Sequence, residues 1–251
     1  MSAIAGQRPL DIGRALDTAI AIYRRHFLTI VAAMAVAVVP LELLTLAPRP
    51  WGLVGTFLQT VVLGGVTPGV ATLVIVDVRA GVEPTAATVW RRLGPILAGL
   101  VLTVALALVV AGVSIVLLIV PFLILIVWFQ FVGQVVVIER HRFFAAMGRS
   151  RDLVQGSYWR VAGYAILAAA ITGVVSGVLA AAPGAAASQF GLHLAATTAI
   201  ADGIGIVSRV LVAPVQALLM ALLYFDLRLR REGGDIARML DALPVADGAA
   251  L

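Results

Sequence analysis

His26, His141 and His193 are the only histidines in the chain, and the first two sit in arginine-rich segments. No pair of them has metal-ligand spacing on a helix and no carboxylates gather beside them, so neither a metal nor a cofactor is expected. Ser114, Ser176 and Ser208 stand in apolar stretches with no neighbouring histidine or lysine to activate a nucleophile, which leaves them as small packing residues. Without cysteine there is no thiolate ligation and no disulfide, so the redox compartment cannot be read from thiols. A catalytic site is therefore not expected.

What remains is charge and amide chemistry in apolar surroundings, where an ionised side chain is costly unless paired or functional. Glu42 and Arg209 both interrupt apolar runs. Counted at about 1.5 Å per residue, Glu42 lies about 25 Å beyond Arg25 and Arg209 about 28 Å beyond Arg228. Their matched depths predict an ion pair between the first and last apolar helices, towards the outer leaflet. Gln130, Gln134 and Gln216 lie nearer mid-depth. With Thr67 and Thr72 they could line a small polar cavity, although interhelical hydrogen bonds are the default for such residues. Gly65-x-x-x-Gly69 and Gly173-x-x-x-Gly177 permit close helix approach, and Pro40, Pro68 and Pro214 can kink their helices.

The elements that must position these residues follow from composition. Hydrophobic residues make up 62% of the chain and charged residues 12%, against about 45–50% and about 25% in a soluble domain. Long apolar runs without strict alternation read as membrane-spanning helices and not as a barrel. The fold class is all-α and polytopic, with six spans: Phe27–Leu46, Leu53–Val78, Ile96–Leu117, Pro121–Ile138, Trp159–Ala181 and Ile204–Leu227. Pro121 marks a reversal near 119–122, because 95–138 is too long for one crossing. Polar residues as far as His26 argue that the start is an uncleaved span and not a secretory signal.

All 18 basic residues are arginine. Nearly all fall before span one, between two and three, between four and five, or after six, which places both termini in the cytoplasm. Only Arg49 and Arg209 depart. The formal charge of +5 is spread beside apolar segments, so a membrane surface, and not nucleic acid, is the expected partner. The arginine-only usage and Ala/Val/Gly richness fit a GC-rich bacterial genome.

The chain also repeats itself. Gly13-Arg14-x-x-Asp17 followed by Tyr23-x-Arg25 returns as Gly148-Arg149-x-x-Asp152 followed by Tyr158-x-Arg160, and Thr85–Leu93, with Trp90, Arg91 and Arg92, holds the same place before span three. Each copy reads as a short amphipathic helix followed by a membrane hairpin, giving repeats over 10–79, 84–140 and 143–231. The first helix puts Leu16, Ile20, Tyr23 and Phe27 on its apolar face, and the third Phe143, Phe144, Met147 and Val154, with Arg149 and Arg151 towards anionic lipid. Alternatively these helices simply pack on the protein. The even spans end alike, in Asp77-x-Arg79, Glu139-Arg140 and Asp226-x-Arg228, and these carboxylates are expected to pair with arginines of the interfacial helices. Residues 1–9 are expected to be flexible. The tail 232–251 carries a short amphipathic pattern, Ile236, Met239, Leu240 and Leu243, with disorder beyond Pro244.

The segments "RPLDIGRALDTAIAIYRRHF", "GRSRDLVQGSYWRV" and "LLYFDLRLRREGGD" resemble the glycerophosphoryl diester phosphodiesterase membrane domain family, over about Arg8 to Asp235. That resemblance implies a helical bundle standing alone in a bacterial plasma membrane. The catalytic barrel of fused members would need about 250 further residues. A non-catalytic scaffold or accessory module in cell-envelope or lipid homeostasis is the expected function, touching anionic lipids and a membrane or cytoplasmic protein. A transporter or lipid translocator with a path through the bundle is the competing expectation.

Overall fold

A computed structural model describes residues 12–45, 51–117, 119–190 and 193–241. Its described residues form α1 (Ile12–Arg25), α2 (Phe27–Thr45), α3 (Trp51–Arg79), α4 (Ala86–Leu117), α5 (Ile119–Trp128), α6 (Val132–Glu139), α7 (Phe143–Val154), α8 (Tyr158–Phe190) and α9 (Leu194–Asp241). Among the described residues six stretches are long and apolar enough to cross a membrane: 27–45, 52–79, 86–114, 119–139, 158–183 and 196–233. In hydrocarbon each backbone N–H and C=O must be satisfied within its own segment, and helices do this.

Local chemistry sets several boundaries. Thr85 and Thr88 begin α4 with a reciprocal cap, each hydroxyl accepting the other's backbone N–H at 3.2 Å. Gly81 (φ +70) follows α3 and Gly156 (φ +82) separates α7 from α8, left-handed positions that cost glycine little. The fourth span breaks at Phe129–Phe131, where no proline or glycine announces it. Ser150 of α7 repairs the break. Its hydroxyl donates to the Trp128 carbonyl at 2.6 Å and accepts the Phe131 N–H at 3.2 Å, replacing lost helical bonds.

The core lies at the arginine-bearing end. Val70–Ile75 of α3, Val132–Val137 of α6 and Ala217–Tyr224 of α9 are buried on every side, as befits helices that are apolar all round. Glycines let their neighbours approach. A Cβ on Gly69 would meet Leu93 Cδ2 at 2.9 Å, and one on Gly133 would meet Pro68 Cγ at 2.9 Å. Around these three segments pack α1, the start of α4, and α7. By contrast α8 packs chiefly on α9, and of its spanning window only 6% is buried.

Several sequence expectations are corrected. The second copy has no separate surface helix, because Thr85–Leu93 leads straight into α4. The protein-facing stripe of α1 is Ala15, Ala19, Ile22 and His26, whereas Ile20 and Phe27 of the expected face are exposed. In α7, Met147 and Val154 are buried as expected, alongside Ala146, Ser150 and Leu153, but Phe143 and Phe144 point outward. Helix α1 uses Ala15 and Ala19 to approach the bundle closely, whereas α7 buries Met147, Leu153 and Val154 and leaves its first two phenylalanines outside. The tail helix continues α9 unbroken through Gly233 to Asp241. Residues 1–9 and the tail beyond Asp241 lie outside the described residues.

Candidate functional site

Two polar systems are built on this frame, one at each end. At the end distal to most arginines, Arg209 of α9 places Nη1 2.6 Å from Glu42 Oε1 of α2. Gln59 of α3 donates to the same carboxylate oxygen, and Thr45 Oγ1 reaches Glu42 Oε2 at 3.4 Å. The Glu42 side chain is 11% exposed and that of Arg209 49%, so the carboxylate is enclosed and the guanidinium is not. The expected ion pair is thus formed, and Gln59 is a partner the sequence reading missed. It could have been found: the sums 42 + 59 and 45 + 55 nearly agree, as residue numbers do across an antiparallel hairpin, and a Gly55 Cβ would touch the Thr45 backbone at 2.8 Å.

Beside Arg209 a cleft of about 280 Å³ opens sideways between α8 and α9, lined by Ala169, Thr172, Gly173, Ser176, Ser208, Arg209, Val212, Ala213 and Gln216. Thr172 donates to Gln216 Oε1 at 3.2 Å, and the Ser176 and Ser208 hydroxyls are 3.1 Å apart. Gln216 belongs to this cleft, but Gln130 and Gln134 do not. Gln130 falls in the α5–α6 break, and Gln134 is buried with Oε1 lacking a hydrogen-bond partner. Thr72 bonds its own Pro68 carbonyl at 2.6 Å. Of the residues that could have lined a shared polar cavity, Gln216 alone lines this cleft, while Gln134 and Thr72 are buried in the helix packing taken as their default.

At the arginine-bearing end the carboxylates that close the even spans are all engaged. Asp77 accepts from Arg92 at 2.5 Å, Glu139 from Arg149 at 2.7 Å and from the Tyr224 hydroxyl at 2.8 Å, and Asp226 from Arg160 at 2.8 Å and Arg230 at 2.9 Å. Arg228 pairs with Glu232 at 2.8 Å, which also meets Arg149 at 3.1 Å. Burial alone would lower the Arg149 guanidinium, but the Glu139 hydrogen bond and the Glu139 and Glu232 charges outweigh it and raise its pKa above the ordinary arginine value. Arg79 lies over the Phe225 ring at 4.5 Å and Arg151 over Trp128 at 4.6 Å. Arg149 is thus engaged within the bundle, while Arg151 is exposed and also stacks on Trp128. Arg140 (φ +60) ends α6 in the left-handed conformation.

The repeat residues sort into contacts of one kind. Tyr23, Trp90 and Tyr158 donate to the carbonyls of Leu211 (2.8 Å), Ala33 (3.0 Å) and Leu123 (3.0 Å) on neighbouring spans. Two residues on from each aromatic, Arg25, Arg92 and Arg160 meet Glu83 (3.4 Å), Asp77 (2.5 Å) and Asp226 (2.8 Å). Burial raises the Tyr23 phenol above its ordinary pKa and keeps it a neutral donor. Gly13, Arg14, Asp17 and Asp152 are exposed, and a Cβ on Gly148 would touch nothing within 4 Å. His26 is buried with Nδ1 3.5 Å from Glu83, and His141 lies 3.9 Å from Glu139.

A family model described as "Domain of unknown function (DUF7847)" matches residues 51–227, well over half of the chain. No curated protein and no solved structure matches.

Proposed function

The chain belongs to that family, and we propose that it is a non-catalytic integral membrane module, a scaffold or accessory protein of cell-envelope or lipid homeostasis. Its place is a bacterial plasma membrane, crossed six times with both termini in the cytoplasm. The likeness to the glycerophosphoryl diester phosphodiesterase membrane domain is part of the same reading. So is a threefold pseudo-repeat, supported by the aromatic-x-Arg contacts at Tyr23, Trp90 and Tyr158.

One observation carries the preference for a module over a translocator. The polar cleft is lined by α8 and α9 alone, while the three central segments belong to one continuous core of buried side chains. A rigid arginine-bearing end, locked by ion pairs, suits a docking platform. Lipid at the membrane surface is met by exposed Phe144 and Trp159 near that end.

Purification of the full chain in mild detergent, with co-purifying proteins identified by mass spectrometry, tests this reading. One stoichiometric protein partner is expected. Movement of a fluorescent phospholipid or a solute across reconstituted liposomes, faster than in protein-free liposomes, would overturn it in favour of transport.

A further inference from the structure

We propose that the cleft between α8 and α9 binds the phosphate headgroup of a phospholipid from the leaflet at the distal end, with Arg209 as the phosphate ligand. The inference rests on the lipid-facing module reading and adds its ligand. Arg209 is the one charged residue among those lining the cleft, and Glu42 is not among them. The carboxylate is enclosed behind the guanidinium and shared with Gln59 and Thr45. From the cleft side the site is therefore cationic.

A guanidinium carries five N–H donors in a fork suited to phosphate. The Glu42 contact engages Nη1, while Arg209 lines the cleft with its side chain 49% exposed, which leaves it donors for a ligand. Donors left bare in hydrocarbon are costly, which favours an anionic oxygen there. The Ser176 and Ser208 hydroxyls lie alongside and can add hydrogen bonds.

The remaining wall favours a lipid over a free anion. Ala169, Gly173, Val212 and Ala213 make an apolar trough, and a Cβ on Gly173 would meet nothing within 4 Å, so the space is real. The trough opens to the side of the bundle, where acyl chains are, and not to an end, where water is. At about 280 Å³ it holds a headgroup and the start of one chain. The rest of that chain would run from the trough towards the start of α8, where Ile166 is 69% exposed.

The test is a native mass-spectrometric titration of the delipidated full chain in neutral detergent. The probes are phosphatidylglycerol, a diacylglycerol with the same chains, and inorganic phosphate. Phosphatidylglycerol should bind tighter than either of the others. Arg209→Gln should weaken it about tenfold, the loss of a charge-assisted hydrogen bond. Gly173→Phe, which fills the trough while leaving the Glu42–Arg209 pair intact, should weaken it as much, and it decides the matter if Arg209→Gln does not stay monodisperse. Gly177→Phe, one turn away and outside the cleft, should change nothing. Equal binding of diacylglycerol would overturn the headgroup assignment, and equal binding of inorganic phosphate would make this a free-anion site. Phosphatidylglycerol binding untouched by Gly173→Phe would place the lipid elsewhere. Each of these failures would leave a stoichiometric protein partner unaffected, so the module reading is judged separately.

Discussion

The two ends of this bundle solve the same solvent problem differently. At the arginine-bearing end, helix segments that are apolar all round are wrapped by amphipathic helices, and every carboxylate closing an even span has an arginine. At the distal end α8 touches little but α9, while α2 and α3 stay close at Thr45 and Gly55 and the Glu42–Arg209 pair, joined by Gln59, ties them to α9. Lipid replaces protein as the packing partner there. Both ends contain a Gly-x-x-x-Gly: Gly65 and Gly69 lie against Leu100 and Leu93, whereas Gly173 and Gly177 have open space where a Cβ would go. The motif alone does not tell which use is made of it.

Substitutions can sharpen that contrast. The largest effect is expected at Tyr224, fully buried with its hydroxyl on Glu139. Tyr224→Ala should cost about 4 kcal/mol, read as a fall in the unfolding midpoint in detergent. Val178→Ala on α8 should shift the same midpoint by less than about 0.5 kcal/mol. Next comes Gly69→Leu, which must displace Leu93 and should cost about 2–3 kcal/mol. Smaller again is the distal pair. Glu42→Arg or Arg209→Glu alone should lower the yield of monodisperse protein, and the double exchange should restore most of it; no restoration would contradict the pair. Smallest is Gly177→Leu, expected to leave stability unchanged, and a loss as large as that from Gly69→Leu would erase the distinction between the two ends.

Much of the architecture was legible in hydropathy alone. The first two spans and the fourth begin and end within two residues of expectation, because apolar runs and arginine flanks mark them directly. Helices α4 and α9 overrun expectation by ten residues or more, since a helix continues through polar and small residues once its backbone bonds are started. The break at Phe129–Phe131 was illegible locally, because the group that stabilises it, Ser150, lies on another helix. The inward face of α1 was misjudged for a related reason: a hydrophobic stripe predicts burial, but in lipid the bulky residues can face outward while Ala15 and Ala19 make the close contact. The Glu42–Arg209 pair was legible because unpaired charge is so costly in apolar surroundings. Gln59 was not, since a glutamine announces no particular partner.

The claim on which the account turns is that lipid contacts the distal half of this chain and is kept from the central segments of the other half. A phospholipid with a photoreactive acyl chain, activated in membranes holding the unmodified protein, reads this directly when the adducts are mapped by mass spectrometry. Adducts are expected on Val174–Val178 of α8 and near Leu43 and Leu53, with none on 70–75, 132–137 or 217–224. Adducts on Ala217–Tyr224 at a yield comparable to those on α8 would contradict it.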